Sequence, residues 1–149
     1  MRRLTRSISI FSLLFLLSLT LAGVASADVI SGKGWLHAEG SGVAKLQMNG
    51  AVEINGHGVG VVVIKGAEAI QASGHGHRTN LPDGRVVFRG YEGTIHAIGR
   101  HMTVHMAGTK IDFTARGKGR AVLRGHGTYE TGSGSGDWQP DGLEINVEE

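Results

Sequence analysis

Eight histidines and 13 carboxylates in a chain without cysteine leave imidazole nitrogen and carboxylate oxygen as the charged-group donors a metal ion would meet. Thiolate sites, thiol redox chemistry and disulfide staples are excluded. The densest ligand set is His96, His101, His105 and Asp112. Imidazoles with one carboxylate suit zinc, copper or nickel, and the best-composed trio is His96, His105 and Asp112, with His101 as the alternate ligand. A second, weaker candidate is His75 with His77, because H-x-H in a strand turns both rings to one face. No third ligand stands beside that pair in the sequence. Neither group matches a long motif such as H-E-x-x-H, and ordinary solvated strand-face histidines have the same spacing.

A different chemistry is offered by Arg116, Lys118, Arg120 and Arg124, which share one parity. As a cationic stripe, with Arg85 and Arg89 across from it, they would hold an anionic cell-surface polysaccharide or phosphate-bearing polymer by charge-assisted contacts. Charged side chains also shield exposed strands from edge-to-edge pairing. Catalysis finds no footing. There is no G-x-S-x-G elbow, and Gly56-His57-Gly58-Val59-Gly60 opens no helix that would make it a phosphate loop. Glu39, Glu53, Glu68, Glu92, Asp112 and Glu130 read as solvated carboxylates, with nothing to select an acid/base pair. The expectation is a protein that is not an enzyme and has no cofactor, zinc or copper being the ion its histidines would take.

The elements that must position these groups are strands. From Gly34 to Gly66 every even-numbered residue is glycine or apolar, among them Leu36, Leu46, Met48, Val52 and Ile64, while the odd positions are mostly polar. Period two over that length is a half-buried β pattern. One straight strand of this length would run about 110 Å, so the chain must bend or reverse without changing which parity faces inward. Glycines recur every eight or nine residues there, near Gly42, Gly50, Gly58 and Gly66, the spacing of strands in a sandwich or barrel. Bulged turns and continuous glycine bends preserve parity, whereas a two-residue hairpin flips it. The repeated G-x-G style between Gly34 and Gly76 is similar to that of glycine-rich β-helical exported proteins of bacteria, a resemblance that carries no functional residue across.

In the second half Leu81-Pro82-Asp83-Gly84 signals a turn, after which the apolar parity alternates. Val86 and Phe88 are even, Ile95 and Ala97 odd, Met102 to Met106 even, and Ile111 onward odd. Two flips fall on Gly99-Arg100 and Gly108-Thr109, each suited to a type II′ turn. Tight hairpins there would set Ile98 opposite His101 and His105 opposite Asp112, which is the register that gathers the histidine set. The predicted fold is therefore all-β: a glycine-rich antiparallel β-sandwich or barrel of short strands with tight hairpins in the second half, or alternatively a β-solenoid.

The chain opens with Arg2, Arg3 and Arg6, a 14-residue apolar run from Ile8 to Leu21, and Ala25-Ser26-Ala27. This is the layout of a secretory signal peptide, with cleavage expected after Ala27 and no membrane span afterwards. Without that segment 12 basic residues face 13 acidic ones, a balance that excludes a general nucleic-acid footprint. The predicted organisation is a signal peptide at 1–27, one all-β domain at 28–130, and a Gly/Ser linker with an acidic tail at 131–149. Within that tail Trp138 is placed to fold back over an open end of the sheet, and the alternation of Leu143, Ile145 and Val147 allows a short strand. The function expected is that of an exported cell-envelope module, structural, adhesive or binding. Metal binding through surface histidines and polysaccharide binding through the basic face are the alternatives, and self-association through strand edges is a further partner mode.

Overall fold

The computed structural model describes residues 29–148, and they form an all-β molecule with no helix. Its strands are β1 (Val29–Lys33), β2 (Trp35–Lys65), β3 (Ala69–Asn80), β4 (Val86–Thr131), β5 (Gly134–Asp137) and β6 (Leu143–Glu148). β1 runs parallel to β6, and every other pairing between these strands is antiparallel. The mixed sheet does not close, which overturns the barrel expectation. The expected leader and its cleavage site lie outside the described residues. Among the described residues no helix is long and apolar enough to cross a membrane.

β2 and β4 hold 31 and 46 residues, far too many to run straight through a domain of this size. They coil around one another instead. Leu36 of β2 lies between Ala115 and Thr131 of β4, 16 positions apart, and Phe113 of β4 lies between Ala38 and Ile54 of β2, again 16 apart. Each strand thus meets two successive turns of the other. In a solenoid one segment stacks on itself; here the turns come alternately from two antiparallel segments.

The coil bends at rows of glycine. Gly42 pairs with Gly108 on one side and Gly125 on the other, and Gly50 pairs with Gly99 and Gly117. Gly93 pairs with Gly56 and Gly74. These rows are creases. At Gly42, φ is +139° and an added Cβ would run into the carbonyl oxygen of Arg124; at Gly50, φ is +149° and it would meet that of Arg116. Side chains are thereby excluded where the backbones approach most closely.

The two hairpins inferred at Gly99-Arg100 and Gly108-Thr109 do not exist, because β4 passes through both places unbroken. The parity flips have another cause. Between the pairs Gly40↔Ile111 and Gly42↔Gly108, β2 advances two residues and β4 three; the same holds between Met48↔Met102 and Gly50↔Gly99. Each is a β-bulge, which inserts one residue and exchanges the two faces of the strand beyond it. Lys110 and His101, among the described residues the non-glycine ones with positive φ (146° and 54°), sit in these bulges. At the second one Asn49 Oδ1 accepts a 2.7 Å hydrogen bond from the backbone N–H of His101.

The inward parity read from the sequence is the core. Leu36, Leu46, Val52, Ile54 and Ile64 of β2 join Phe88, Ile95, Met102, Val104, Ile111, Phe113 and Leu123 of β4 in a single buried cluster. The segment read as linker and tail is part of the same unit. β5 pairs with the end of β4, β6 is hydrogen-bonded to both β1 and β4, and Leu143, Ile145 and Val147 enter the core. Trp138 is buried, and its indole N–H donates to the carbonyl oxygen of Thr128 at 3.0 Å. Backbone pairing, for which glycine is no obstacle, built strand from a segment whose composition resembles a linker.

Candidate metal centre

Winding β2 against β4 lines up outward side chains from distant parts of the chain in rows across the strands. One row reads Glu130, His37, Thr114, Glu53, His96 and Gln71. The next sets Glu39 opposite Asp112 and Asn55 opposite Thr94, and a third, beside a glycine crease, sets His57, Glu92 and His75 side by side. Histidines and carboxylates are therefore cross-strand neighbours in the first and third of these rows.

Where the first two rows meet, three potential ligands converge. His37 and Glu39 are two apart on β2 and so project to the same side, while Asp112 lies on β4 directly across from Glu39. One ring nitrogen of His37 and one carboxylate oxygen each from Glu39 and Asp112 lie within 4.8 Å of one another. The hydrogen bonds define how the ring is held. His37 Nε2 lies 3.1 Å from Glu39 Oε1, and His37 Nδ1 lies 3.1 Å from Thr114 Oγ1. A carboxylate only accepts, so Nε2–H donates to Glu39, and in the neutral ring Nδ1 accepts the hydroxyl proton of Thr114.

Asp112 Oδ1 lies 3.9 Å from the same nitrogen, whose lone pair is directed at the Thr114 hydroxyl. The oxygen is buried and has no hydrogen-bond donor, although Oδ2 of the same carboxylate accepts a 3.4 Å hydrogen bond from Asn55 Nδ2. A buried carboxylate oxygen without a donor, set beside an imidazole nitrogen, is complementary to a cation. The side chains of His37 and Asp112 are 33% and 21% exposed, which leaves an ion room to enter from solvent. Two shallow grooves adjoin the cluster, of about 670 and 690 Å³, and Asp112, His57 and Lys110 line both.

The histidine set expected from the sequence is not assembled. Its register depended on the two hairpins, and the bulges that replace them distribute its members. His96 stands opposite Glu53 and Gln71, in a recess of about 140 Å³ with Thr114 and Arg116. His101 sits in a bulge beside Asn49 and Lys118. His105 stands opposite Lys45 and Val63. Asp112 alone of that set belongs to the cluster with His37 and Glu39. His75 and His77 are divided by a register irregularity, His75 lying opposite Glu92 and His77 opposite Arg89.

The cationic stripe is likewise divided, because β4 bends at Gly117 and Gly125. Arg116 shares the recess of His96, whereas Arg120 stands opposite Gln47 and Asn146, and Arg124 opposite Val43. Arg85 folds onto Asp83 at 2.6 Å, and Arg89 faces Val61 and His77. Sequence reasoning placed His37 and Glu39 on the outward face but never joined them to Asp112. The missing information was the pairing of Glu39 with a residue far along the chain. No protein-family model matches the sequence, and no curated protein or solved structure is similar to it.

Proposed function

We propose that this protein is an exported, cell-envelope binding module, a flattened two-layer β-sandwich that holds a divalent transition metal at His37, Glu39 and Asp112 without turning over a substrate. The observation that carries the reading is the buried, donorless Oδ1 of Asp112 facing His37 Nδ1. One imidazole and two carboxylates suit zinc, and copper binds such donors more tightly still. Metal–ligand bonds of about 2.0–2.2 Å draw these side chains together on binding. Calorimetric titration of the purified protein with zinc tests it. Stoichiometric binding, weakened at least about tenfold by Asp112→Asn, is the expected result. Equal binding by both proteins overturns the assignment.

A second reading concerns the same outward parity of the coil on the far side of the Gly42 crease. There Lys45 and His105 are cross-strand neighbours, Arg124 stands beside Val43, and Arg89 beside Val61. Arg120 adds its charge, partly offset by Glu144 at 3.7 Å. Cations interspersed with valines favour an anionic polysaccharide as ligand, engaged by Arg120 and Arg124 together with Lys45 and Arg89. Binding that weakens steeply with added salt and is lost in the Arg120→Ala, Arg124→Ala double variant is the expected result.

A further inference from the structure

The third outward row has a composition that the proposed centre does not use. His57 of β2, Glu92 of β4 and His75 of β3 are direct neighbours across three adjacent strands. Adjacent strands lie about 4.8 Å apart, so the two histidines flank the glutamate from positions about 9.6 Å apart. Residues directly opposite one another in such a sheet have their Cβ atoms about 4.5–5.5 Å apart. His75 Nε2 already approaches Glu92 Oε2 at 3.3 Å. Rotation of the exposed His57 ring toward Glu92 would bring a second imidazole to the same carboxylate.

The neighbouring crease shapes the place. One residue away on each of the three strands stand Gly56, Gly93 and Gly74, themselves paired across the strands. Bending there gives the sheet a concave surface, and His57, His75, Glu92, Gly56 and Gly93 all line the 670 Å³ groove that reaches Asp112. All three side chains are solvent-exposed, so an ion reaches them without any opening of the fold.

We infer that His57, Glu92 and His75 form a second transition-metal site, separate from the His37 centre and sharing its groove. Two neutral imidazoles and one carboxylate suit zinc or copper, with the remaining coordination positions open toward the groove. His77 is not a ligand, because the irregularity after His75 places it opposite Arg89. The Asp112 centre and this one use different residues, so each stands or fails separately.

The test is native mass spectrometry and calorimetry of the protein with zinc, on wild type, Asp112→Asn, His75→Ala and Glu92→Gln. Two ions per chain are expected in the wild type, one in each variant, and none in the Asp112→Asn, His75→Ala double variant. Affinity of the second ion falls at least about tenfold when one of its ligands is removed. A single ion lost on Asp112→Asn and untouched by His75→Ala overturns this site and leaves the first standing. A single ion lost on His75→Ala alone does the reverse. No binding overturns both. Electron paramagnetic resonance of bound copper gives a check that does not depend on affinity. The nitrogen coupling pattern of the second site should simplify from two imidazoles to one in His57→Ala, and an unchanged pattern overturns the assignment.

Discussion

Asp112 Oδ1 lies 3.9 Å from His37 Nδ1, buried and without a donor. In Asp112→Asn the side chain keeps its shape and loses its charge, and the buried position no longer holds an unpartnered carboxylate oxygen. The metal-free variant is expected to be as stable as the wild type or more so, by up to about 1 kcal/mol. Zinc should raise the melting temperature of the wild type and have a reduced effect on the variant. Thermal unfolding of both proteins, with and without zinc, measures the two effects.

A crease cannot accept a side chain. Gly42→Ala places a methyl group against the Arg124 carbonyl while the backbone is at φ +139°. Both strain and collision are incurred, so a loss of about 3 kcal/mol or more is expected from urea unfolding. A change below about 1 kcal/mol would mean that the β2–β4 coil does not pass through this point as described.

Lys110 occupies a bulge at φ 146°, a conformation elsewhere taken by glycines such as Gly42 and Gly50. Lys110→Gly relieves strain of about 1–3 kcal/mol and costs about 0.5–1 kcal/mol in chain entropy. The net expectation is a stabilisation of about 1 kcal/mol, read as a higher urea midpoint with an unchanged slope.

Trp138 is a buried member of the core. Its replacement by alanine removes a buried ring and its 3.0 Å hydrogen bond to Thr128, and should cost about 3–5 kcal/mol. Trp138→Phe keeps most of the packing and should recover the larger part of that loss. Urea titration of the two variants separates the ring from the hydrogen bond.

Beside it, burial pushes the Tyr129 phenol above its usual value, and the Asp137 carboxylate adds to the rise. A raised folded value means that the neutral phenol is favoured in the native protein. The stability it contributes is complete below about pH 10 and is lost as pH rises through the folded value. Phenolate absorbance should therefore appear at higher pH in the folded protein than in urea, and Asp137→Asn should narrow the gap.

Much of this fold was legible because burial follows parity. The even residues of β2 from Leu36 to Ile64 and each parity change in β4 were read correctly, since period two directly reports which side of a strand is inside. The meaning of the changes was not legible. Gly99-Arg100 and Gly108-Thr109 have the composition of a hairpin turn, yet a one-residue bulge exchanges faces in the same way, and only the partner strand distinguishes them. That ambiguity carried through to the site. Asp112 was singled out with His105 because a hairpin would make them neighbours, whereas its true neighbour is Glu39, whose pairing with it no local pattern records. Thr131 to Gly136 looked like a linker for a related reason. Gly136 is required because the Tyr129 ring fills the space a side chain would take, and that is a tertiary constraint.

The winding of β2 against β4 also sets an order of events in time. When the ribosome has finished Lys65, the partners of β2 do not yet exist; on one side they extend from Val86 to Arg116 and on the other as far as Thr131. At roughly 5–20 residues per second the interval from Lys65 to Thr131 lasts about 3–13 s. Until Val86 is made the first half of the molecule has nothing of its own to pair with, and folding that depends on such distant partners is slow even afterwards. Nascent chains arrested before Val86 should remain fully sensitive to protease. Arrest beyond Glu148, with the chain clear of the exit tunnel, should confer resistance in one step, so synthesis of the last strand determines when folding can be completed.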